Sequence, residues 1–354
     1  MTEKSGFFTH SLLRWNRNSN NRKMPWKAEK DPYRIWLSEI ILQQTRVEQG
    51  WDYYLRFIKK YPHIRALAKA NNTDVFKLWE GLGYYSRCRN LIATAQYIYE
   101  QCNGVFPSVY SEILALKGIG PYTAAAIASF AFNLPYAVVD GNVIRVLSRF
   151  FGIQEFADSS EGKKIISTLA EKQLYKKKPG EYNQAIMDFG AAVCKPRNPL
   201  CSLCPLASQC VALNEKLVNE LPRKKPKRER KNRYFHYLVI VQNNKVLVRE
   251  RTGMDIWRHL HEFVLFETEK LYPAKSFFKK FGHRLNSEIG YAGLQSSSEV
   301  YVQQLTHQTV HVRFMVVKPV NKISIHGYRM VSFHTLQKLA FPQVIAGWIK
   351  KMPV

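Results

Sequence analysis

Four closely spaced cysteines constrain this chain more than any other feature of its sequence. Of the six cysteines in 354 residues, four fall within one short segment, with six, two and five residues between them: Cys194, Cys201, Cys204 and Cys210. Such clustering favours metal ligation over a disulfide framework, and four thiolates from one loop can hold an iron–sulfur cluster or a zinc ion. Zinc ligands usually come as two close pairs. Only the middle pair is close here, so the spacing favours the cluster and leaves zinc as the alternative.

The charge of the chain indicates a polyanionic partner. It has 53 lysines and arginines against 27 acidic residues, a formal charge of +26 at pH 7. Such a surplus speeds encounter with polyanions, so nucleic acid is the favoured partner, with an anionic membrane surface or solubility alone as alternatives. No apolar stretch approaches the roughly 20 residues that span a bilayer. The N-terminal run MTEKSGFFTH also lacks the apolar core of a secretion signal. We expect a cytoplasmic, nucleoid-associated protein without a membrane partner.

The first part of the chain has the pattern of successive helices. The pair Asp31-Pro32 is a helix start signal, because aspartate caps a helix and proline suits its first position. Apolar residues then recur at helical spacing as far as about Glu220. The predicted segments after the first helix are about 64–80, 85–101, 111–117, 121–132, 142–150 and 162–173.

The composition changes after residue 221. The run 222–233 has eight basic residues, one acidic residue and two prolines, which is typical of a solvated linker. Beyond it, the apolar runs 234–241 and 245–248 flank Asn243-Asn244 and predict a hairpin. Further strand candidates are 262–267, 299–305, 309–317 and 330–333, with a helix near 274–286. We therefore expect a mixed α/β domain at the C-terminal end.

The run LKGIGPYTA, residues 116–124, is the strongest DNA-binding signal outside the cysteines. Gly118 and Gly120 allow a tight turn whose backbone N–H groups open the next helix, where a phosphate can dock without base readout. Residues 81–85, GLGYY, repeat this type of turn. The alternative is an ordinary helix–helix loop.

One glutamate on the first predicted helix is a candidate proton donor. Glu39 follows Trp36 and Ile35 by three and four residues, on a helix face that is otherwise apolar. A partly desolvated carboxyl group has a raised pKa, as an acid that works near neutral pH requires. The alternative is a surface glutamate on an amphipathic helix.

These motifs together resemble a known superfamily over residues 25–212. The hairpin, the run Val139-Asp140-Gly141-Asn142-Val143 and the four-cysteine loop are similar to the helix–hairpin–helix glycosylases, and the run SEIILQQT at 38–45 resembles the adenine DNA glycosylase (MutY) pattern. Endonuclease III-like members carry a lysine two residues after the second glycine, where it forms a Schiff base. This chain has Tyr122 there, which implies a monofunctional glycosylase.

The resemblance assigns further roles residue by residue. It implies that Glu39 protonates N7 of adenine and that Asp140 stabilises the cationic sugar, although an aspartate before a helix also serves as its cap and both roles can coexist. Tyr122 and Asn142 surround Asp140 and the sugar. Candidates for the adenine pocket are Trp26, Gln43 and Gln184. Candidates for the DNA interface are Gln44, Thr45 and Tyr84, of which Gln44 and Tyr84 match wedge residues beside the oxidised guanine. The alternative for Tyr84 is a core position.

The run 245–263 resembles the C-terminal domain of the same family, which has a Nudix-type fold. The helical glutamate cluster that a phosphohydrolase needs for magnesium is missing from the sequence, so the resemblance implies a module that recognises 8-oxoguanine. Thr306 and His307 match its recognition loop. Leu305 replaces an aromatic residue there, and 257–263 follows the family ending only loosely. The alternative is a β-rich core with an exposed histidine turn.

We therefore expect a monomeric, monofunctional glycosylase that removes adenine opposite 8-oxoguanine or guanine in double-stranded DNA. It should carry one 4Fe-4S cluster and have room for a structural monovalent or divalent cation at the hairpin. The expected domains are 29–136 (six helices), 1–28 with 137–220 (cluster), 221–233 (linker) and 234–354 (Nudix-like). The rivals are a mismatch thymine glycosylase or lyase of the same fold and a non-catalytic DNA-binding scaffold.

Overall fold

A computed structural model describes residues 3–226, 229–289, 291–319 and 323–352. The chain divides into two compact units, Met1–Lys69 with Arg89–Pro226, and Ala70–Cys88 with Lys227–Val354. The first unit is helical and the second is built around a mixed sheet. The finer domain boundaries expected from the sequence stay a prediction. No helix among the described residues is long and apolar enough to cross a membrane.

Short helices follow one another through the first part of the chain, as the apolar spacing predicts. Asp31 caps the second helix by accepting a hydrogen bond from the Tyr33 backbone N–H over 2.9 Å, and Pro32 stands at its first position. The helices are α1 Glu3–Asn18, α2 Pro32–Leu42, α3 Val47–Lys60, α4 Ile64–Ala68, α5 Asn72–Trp79, α6 Ser86–Gln101, α7 Tyr110–Ala115, α8 Pro121–Phe132, α9 Gly141–Phe151, α10 Ser160–Gln173, α11 Pro179–Ala192 and α12 Val211–Asn214. Helix α5 belongs to the second unit.

Close packing of α9 against α11 sets the frame of the first unit. A Cβ atom at Gly190 would lie 2.6 Å from Cβ of Asn142, so glycine allows the two helices to approach at this level. Below it, apolar side chains from α1, α9 and α11 fill one buried core. That core includes Phe8, Leu12, Val146, Leu147, Phe150, Ile186 and Phe189. The start of α9 is thereby held against the C-terminal end of α11.

The second unit contains the predicted α/β domain. Its strands are β1 Lys231–Gln242, β2 Lys245–Glu250, β3 His261–Glu262, β4 Val264–Thr268, β5 Tyr291–Ser297, β6 Tyr301–Gln304, β7 Gln308–Pro319 and β8 Arg329–Ser332. Its further helices are α13 Ala274–Ile289, α14 Phe333–Lys338 and α15 Gln343–Ile349. The main strand order is β3-β2-β1-β7-β5, with β1 parallel to β7 and antiparallel to β2 and β4. Asn243 and Asn244 form the predicted β1–β2 turn at φ 50° and 55°.

Helix α5 and the turn after it are fastened to the C-terminal end of the chain within the second unit. The Lys77 ammonium donates to the Leu339 carbonyl over 3.0 Å, and the Tyr85 hydroxyl donates to the Phe341 carbonyl over 3.3 Å. The Phe341 backbone N–H donates to the Glu80 carboxylate over 3.1 Å. The GLGYY turn is therefore part of the unit that holds the β6–β7 hairpin.

Candidate active site

Helix α2 places Glu39 at the wall of a cavity of about 430 Å³. The side chain is almost completely buried, with 6% of its surface exposed, because α2 packs its apolar faces into the helical unit. Burial raises the pKa of Glu39 to about 7, and the nearby negative charge of Asp140 adds to the rise. The Tyr122 hydroxyl donates a hydrogen bond to the carboxyl group, and this bond opposes the rise in its pKa. Glu39 is thus an acid whose protonated form persists near neutral pH.

The start of α9 holds a second carboxyl group, Asp140, at the same cavity. It caps the helix by accepting hydrogen bonds from the backbone N–H groups of Asn142 and Val143 at 2.9 and 2.8 Å. The Asn142 amide donates to its other oxygen over 2.7 Å. Burial raises the pKa of Asp140, while these donors and the positive charge of Arg145 lower it. The two carboxyl groups therefore face one space with different surroundings, apolar for Glu39 and rich in donors for Asp140.

Five further candidate residues line this cavity: Trp26, Thr45, Tyr122, Asn142 and Gln184. Trp26 packs edge-on against Tyr54, with ring centroids 5.4 Å apart, and forms an apolar wall. Gln43 is not among the lining residues. Its amide donates to the Thr123 hydroxyl over 3.3 Å, at the end of α2. Five of the candidate residues therefore lie at the same cavity as both carboxyl groups, whereas Gln43 contacts Thr123.

The glycine hairpin joins α7 to α8 in the shape that its sequence predicts. Gly118 has φ +80°, and a Cβ atom there would lie 2.6 Å from Cβ of Asn90, so only glycine suits this position. Ile119 is buried and anchors the turn, while Gly120 caps α8 without a side-chain hydrogen bond. The exposed N–H groups at this helix start are available to a phosphate. The cation expected at the hairpin stays a prediction.

Gln44 in the first unit and Tyr84 in the second each have a positive φ angle, which is unusual for residues other than glycine. Gln44 is exposed at φ 57°, and Tyr84 is 49% exposed at φ 46°. Left-handed backbone at residues with a Cβ atom costs free energy and is concentrated at functional sites. Tyr84 lies outside the core, so the core alternative for it is wrong. The Arg87 guanidinium stacks 5.6 Å from the centroid of its ring.

Thr306, a candidate for recognising the lesion, contacts the candidate wedge residue Tyr84 within the second unit. Thr306 and His307 are exposed in the tight turn between β6 and β7, which the Leu305 backbone N–H closes by donating to the Gln308 carbonyl over 2.8 Å. The Thr306 hydroxyl donates to the Tyr84 hydroxyl over 3.2 Å. Residues 222 positions apart in the chain thus form one surface.

The four clustered cysteines surround a common region at the end of the helical unit. None of them forms a disulfide, and the ionisation of Cys201, Cys204 and Cys210 is in each case influenced by Cys194. Burial raises the pKa of these three thiols, which a bound metal group would offset with its positive charge. No three or more metal-ligating side chains in the described part of the chain form a ready site for a single ion. The fit to a cluster rests on the donor set, four thiols of one loop that influence one another's ionisation.

Arg145 is a functional candidate that the sequence reasoning missed. It is buried on α9 and donates to the Asn142 side-chain oxygen over 2.8 Å, as well as to the Gly190 carbonyl over 2.8 Å. It also donates to the carbonyl of Cys194 over 2.8 Å. The residue that orders Asp140 is therefore connected to the first residue of the cysteine loop. A charged residue three positions after Asn142, inside an apolar helix face, was the signal available in the sequence.

Comparison with known proteins places these features in a family. Residues 37–172 match the model of the HhH-GPD superfamily base excision DNA repair proteins. An adenine DNA glycosylase of Buchnera aphidicola subsp. Schizaphis graminum is 33% identical over 305 residues, which cover 86% of each chain. The chain belongs to the adenine DNA glycosylase family. The Mus musculus member is 41% identical over 214 residues, 58% of this chain and 41% of that one. Membership of a DNA repair family confirms DNA as the partner.

The cysteine loop also matches a family model. Residues 194–210, from the first of the four cysteines to the last, match the iron–sulfur binding domain of endonuclease III. The prediction of a 4Fe-4S cluster is thereby confirmed over the zinc alternative. That the four cysteines of the loop are its ligands stays a prediction.

Solved structures confirm the predicted fold of the helical part. A thermostable thymine-DNA glycosylase matches with a TM-score of 0.56 and 29% identity, over 60% of this chain and 98% of that one. A non-covalent endonuclease III–DNA complex matches with a TM-score of 0.51 and 21% identity, over 61% of this chain and 99% of that one. The mixed sheet of the second unit is consistent with the Nudix-like domain expected at the C-terminal end.

Proposed function

We propose that the protein hydrolyses the N-glycosidic bond of adenine paired with 8-oxoguanine or guanine in double-stranded DNA. It acts as a monomer and without a lyase step, on DNA in the cytoplasm. The observation that carries the proposal is the pair Glu39 and Asp140 at one cavity of about 430 Å³, with the pKa of Glu39 raised to about 7. A cavity of that size lies within the range of about 300–1,000 Å³ that ligand sites occupy.

The two carboxyl groups divide the reaction between them. Protonated Glu39 gives its proton to N7 of adenine, so the bond between N9 and the sugar C1′ breaks with its electron pair leaving on a neutral base. The sugar becomes an oxocarbenium-like cation, and the Asp140 carboxylate stabilises its positive charge. A water molecule then adds to C1′ and loses a proton, which restores the protonated state of Glu39.

The side chains around the cavity support hydrolysis without strand cleavage. Tyr122 stands where lyases of the superfamily carry the imine-forming lysine, and burial raises its pKa so that the hydroxyl stays a donor to Glu39. The Lys27 ammonium also lines the cavity, but it donates to Asp188 over 3.0 Å and to the Arg22 carbonyl over 2.9 Å. An ammonium engaged in this way is not a nucleophile.

The remaining candidates either bind DNA or hold the cluster that orders a DNA-binding loop. The 4Fe-4S cluster is held by the four cysteines of the loop, Cys194, Cys201, Cys204 and Cys210. This ligation orders the loop, which carries the basic residues Lys195 and Arg197. Phosphate docks at the glycine turn and at the backbone N–H groups of the first turn of α8 that follow Pro121. For the stack that extruded adenine leaves, Gln44 is the wedge residue of the first unit and Tyr84 that of the second, while Thr306 and His307 contact the oxidised edge of the opposite base.

Replacing Thr306 by valine should reduce the preference for 8-oxoguanine over guanine by about tenfold, with a smaller effect on the turnover of bound adenine. Valine keeps the shape of threonine but lacks the hydroxyl that donates to Tyr84 over 3.2 Å, and one hydrogen bond of this kind accounts for about a tenfold difference. The measurement is the ratio of single-turnover efficiencies on the two mispairs. Thr306→Ser keeps the hydroxyl and should keep the ratio; an unchanged ratio in the valine variant would remove Thr306 from lesion recognition.

The proposed function is tested by base release from duplexes in which adenine faces 8-oxoguanine, guanine or thymine. We expect free adenine from the first two and little from the third, with intact strands until alkali is added. Borohydride reduction during the reaction should trap no protein–DNA adduct. Release of thymine from a mismatch, or a borohydride-trapped adduct with strand cleavage, would contradict the proposal.

A further inference from the structure

We propose that Asp188 is a positioning residue that turns the side-chain carbonyl of Gln184 toward the cavity and thereby selects a purine with an amino group at position 6. The inference rests on the proposed function, because it concerns how adenine is told from other purines. It gives a role to a buried cluster of charged side chains that takes no part in the steps assigned to Glu39 and Asp140.

Asp188 is the centre of a cluster between α11 and the segment before α2. Its side chain has no exposed surface, and its two oxygens accept hydrogen bonds from four groups. The donors are Arg22 at 2.9 Å, Lys27 at 3.0 Å, Asn20 at 2.9 Å and Gln184 at 3.0 Å. Two of these donors are cations, which offset the cost of burying the negative charge.

The chemistry of this cluster fixes the orientation of the Gln184 amide. A carboxylate only accepts hydrogen bonds, so the side of Gln184 that faces Asp188 must be its NH₂ group. Gln184 precedes Asp188 by four residues on α11, and side chains at this spacing lie on one face of a helix. Because the amide is planar, its carbonyl oxygen points away from Asp188, and Gln184 lines the cavity. The cavity is thereby given a fixed acceptor.

A fixed acceptor discriminates between purines by the group at position 6. Adenine carries an amino group there, which donates to a carbonyl oxygen. Hypoxanthine and guanine carry a carbonyl, which would face the Gln184 oxygen with no proton between them. The group at position 6 and N7, the atom that Glu39 protonates, lie on the same edge of the base, so one edge receives both contacts. Leaving such buried polar groups unpaired is the most effective way for a site to reject a near-isostere.

The test is the ratio of adenine to hypoxanthine release, each opposite 8-oxoguanine, in the full-length protein. Asparagine at position 188 offers an amide N–H₂ to Gln184, which can then turn its own NH₂ toward the cavity. We expect Asp188→Asn to lower the ratio by about tenfold or more, the effect of one reversed hydrogen bond. Asn20→Ala removes a different donor to Asp188 and leaves Gln184 in place, so its ratio should equal that of the native protein.

A loss of packing alone would slow the release of both bases and leave the ratio of adenine to hypoxanthine release unchanged. If Asp188→Asn slows release of both bases equally, Asp188 only stabilises the fold and the inference is wrong. Should the single variant fail to fold, the double variant Asp188→Asn with Lys27→Met removes one negative and one positive charge together and answers the same question. In a Gln184→Leu background, Asp188→Asn should change the ratio no further. Failure of the native protein to release adenine would instead refute the proposed function.

Discussion

Glu39→Gln should slow the single-turnover release of adenine by about 10²–10⁴-fold, the usual contribution of a general acid. Glutamine has nearly the same shape and keeps an acceptor for the Tyr122 hydroxyl, but it has no acidic proton to give to N7. Because the native carboxyl is buried with its pKa raised to about 7, removal of its charge should not unfold the protein. The measurement is base release from an adenine:8-oxoguanine duplex with enzyme in excess.

Two comparisons separate this effect from a loss of structure. Glu155→Gln changes an exposed carboxylate between α9 and α10 and should release adenine at the native rate. The Glu39 variant should bind the duplex with native affinity and unfold at a similar temperature. Equal rates for Glu39→Gln and the native protein would exclude Glu39 as the acid.

Asp140→Asn should lower the same rate by about 10²–10³-fold, the effect of removing one preorganised electrostatic contact from a transition state. The cationic sugar loses the negative charge that faces it. The cap of α9 is retained, because asparagine caps a helix as well as aspartate and its oxygen can accept from the N–H groups of Asn142 and Val143. The expected result is therefore a folded protein with little activity.

The alanine variant provides the matched comparison for Asp140. Asp140→Ala loses both the charge and the cap, so it should also be less stable by about 1 kcal/mol. The difference in thermal unfolding between the two variants then measures the contribution of the cap. The decrease in rate that both variants share measures the contribution of the negative charge. A native rate for Asp140→Asn with a reduced rate for Asp140→Ala would mean that capping is the whole role of this residue.

Local sequence patterns were sufficient for most of the fold, whereas the roles of Glu39 and Asp140 came from the resemblance to the adenine DNA glycosylases. The start of α2 follows from Asp31-Pro32, and the burial of Glu39 follows from its place on an apolar face. The hairpin of β1 and β2 follows from Asn243-Asn244. The cap of α2 and the β1–β2 turn are made between residues close together in the chain, and the apolar face around Glu39 is a local spacing, which is what periodicity and turn signals report.

Features that depend on distant contacts could not be predicted from the sequence. Arg145 and Asp188 bind partners that lie many positions away in the chain, and the charge of Arg145 inside an apolar helix face does not tell which partners these are. The attachment of the GLGYY turn to the C-terminal end likewise rests on contacts such as Tyr85 with Phe341. Gln43 turns toward Thr123 because α2 packs against α8, which no local pattern encodes.

The pH dependence of single-turnover adenine release tests the central claim most directly. Glu39 must be protonated to act, and its pKa is raised to about 7, so the rate should be sustained below about pH 7 and fall about tenfold per pH unit above it. The small residual rate of Glu39→Gln should lack this decline. A native rate that stays constant from about pH 6 to about pH 9, or the same decline in Glu39→Gln, would contradict a buried, protonated Glu39 as the proton donor.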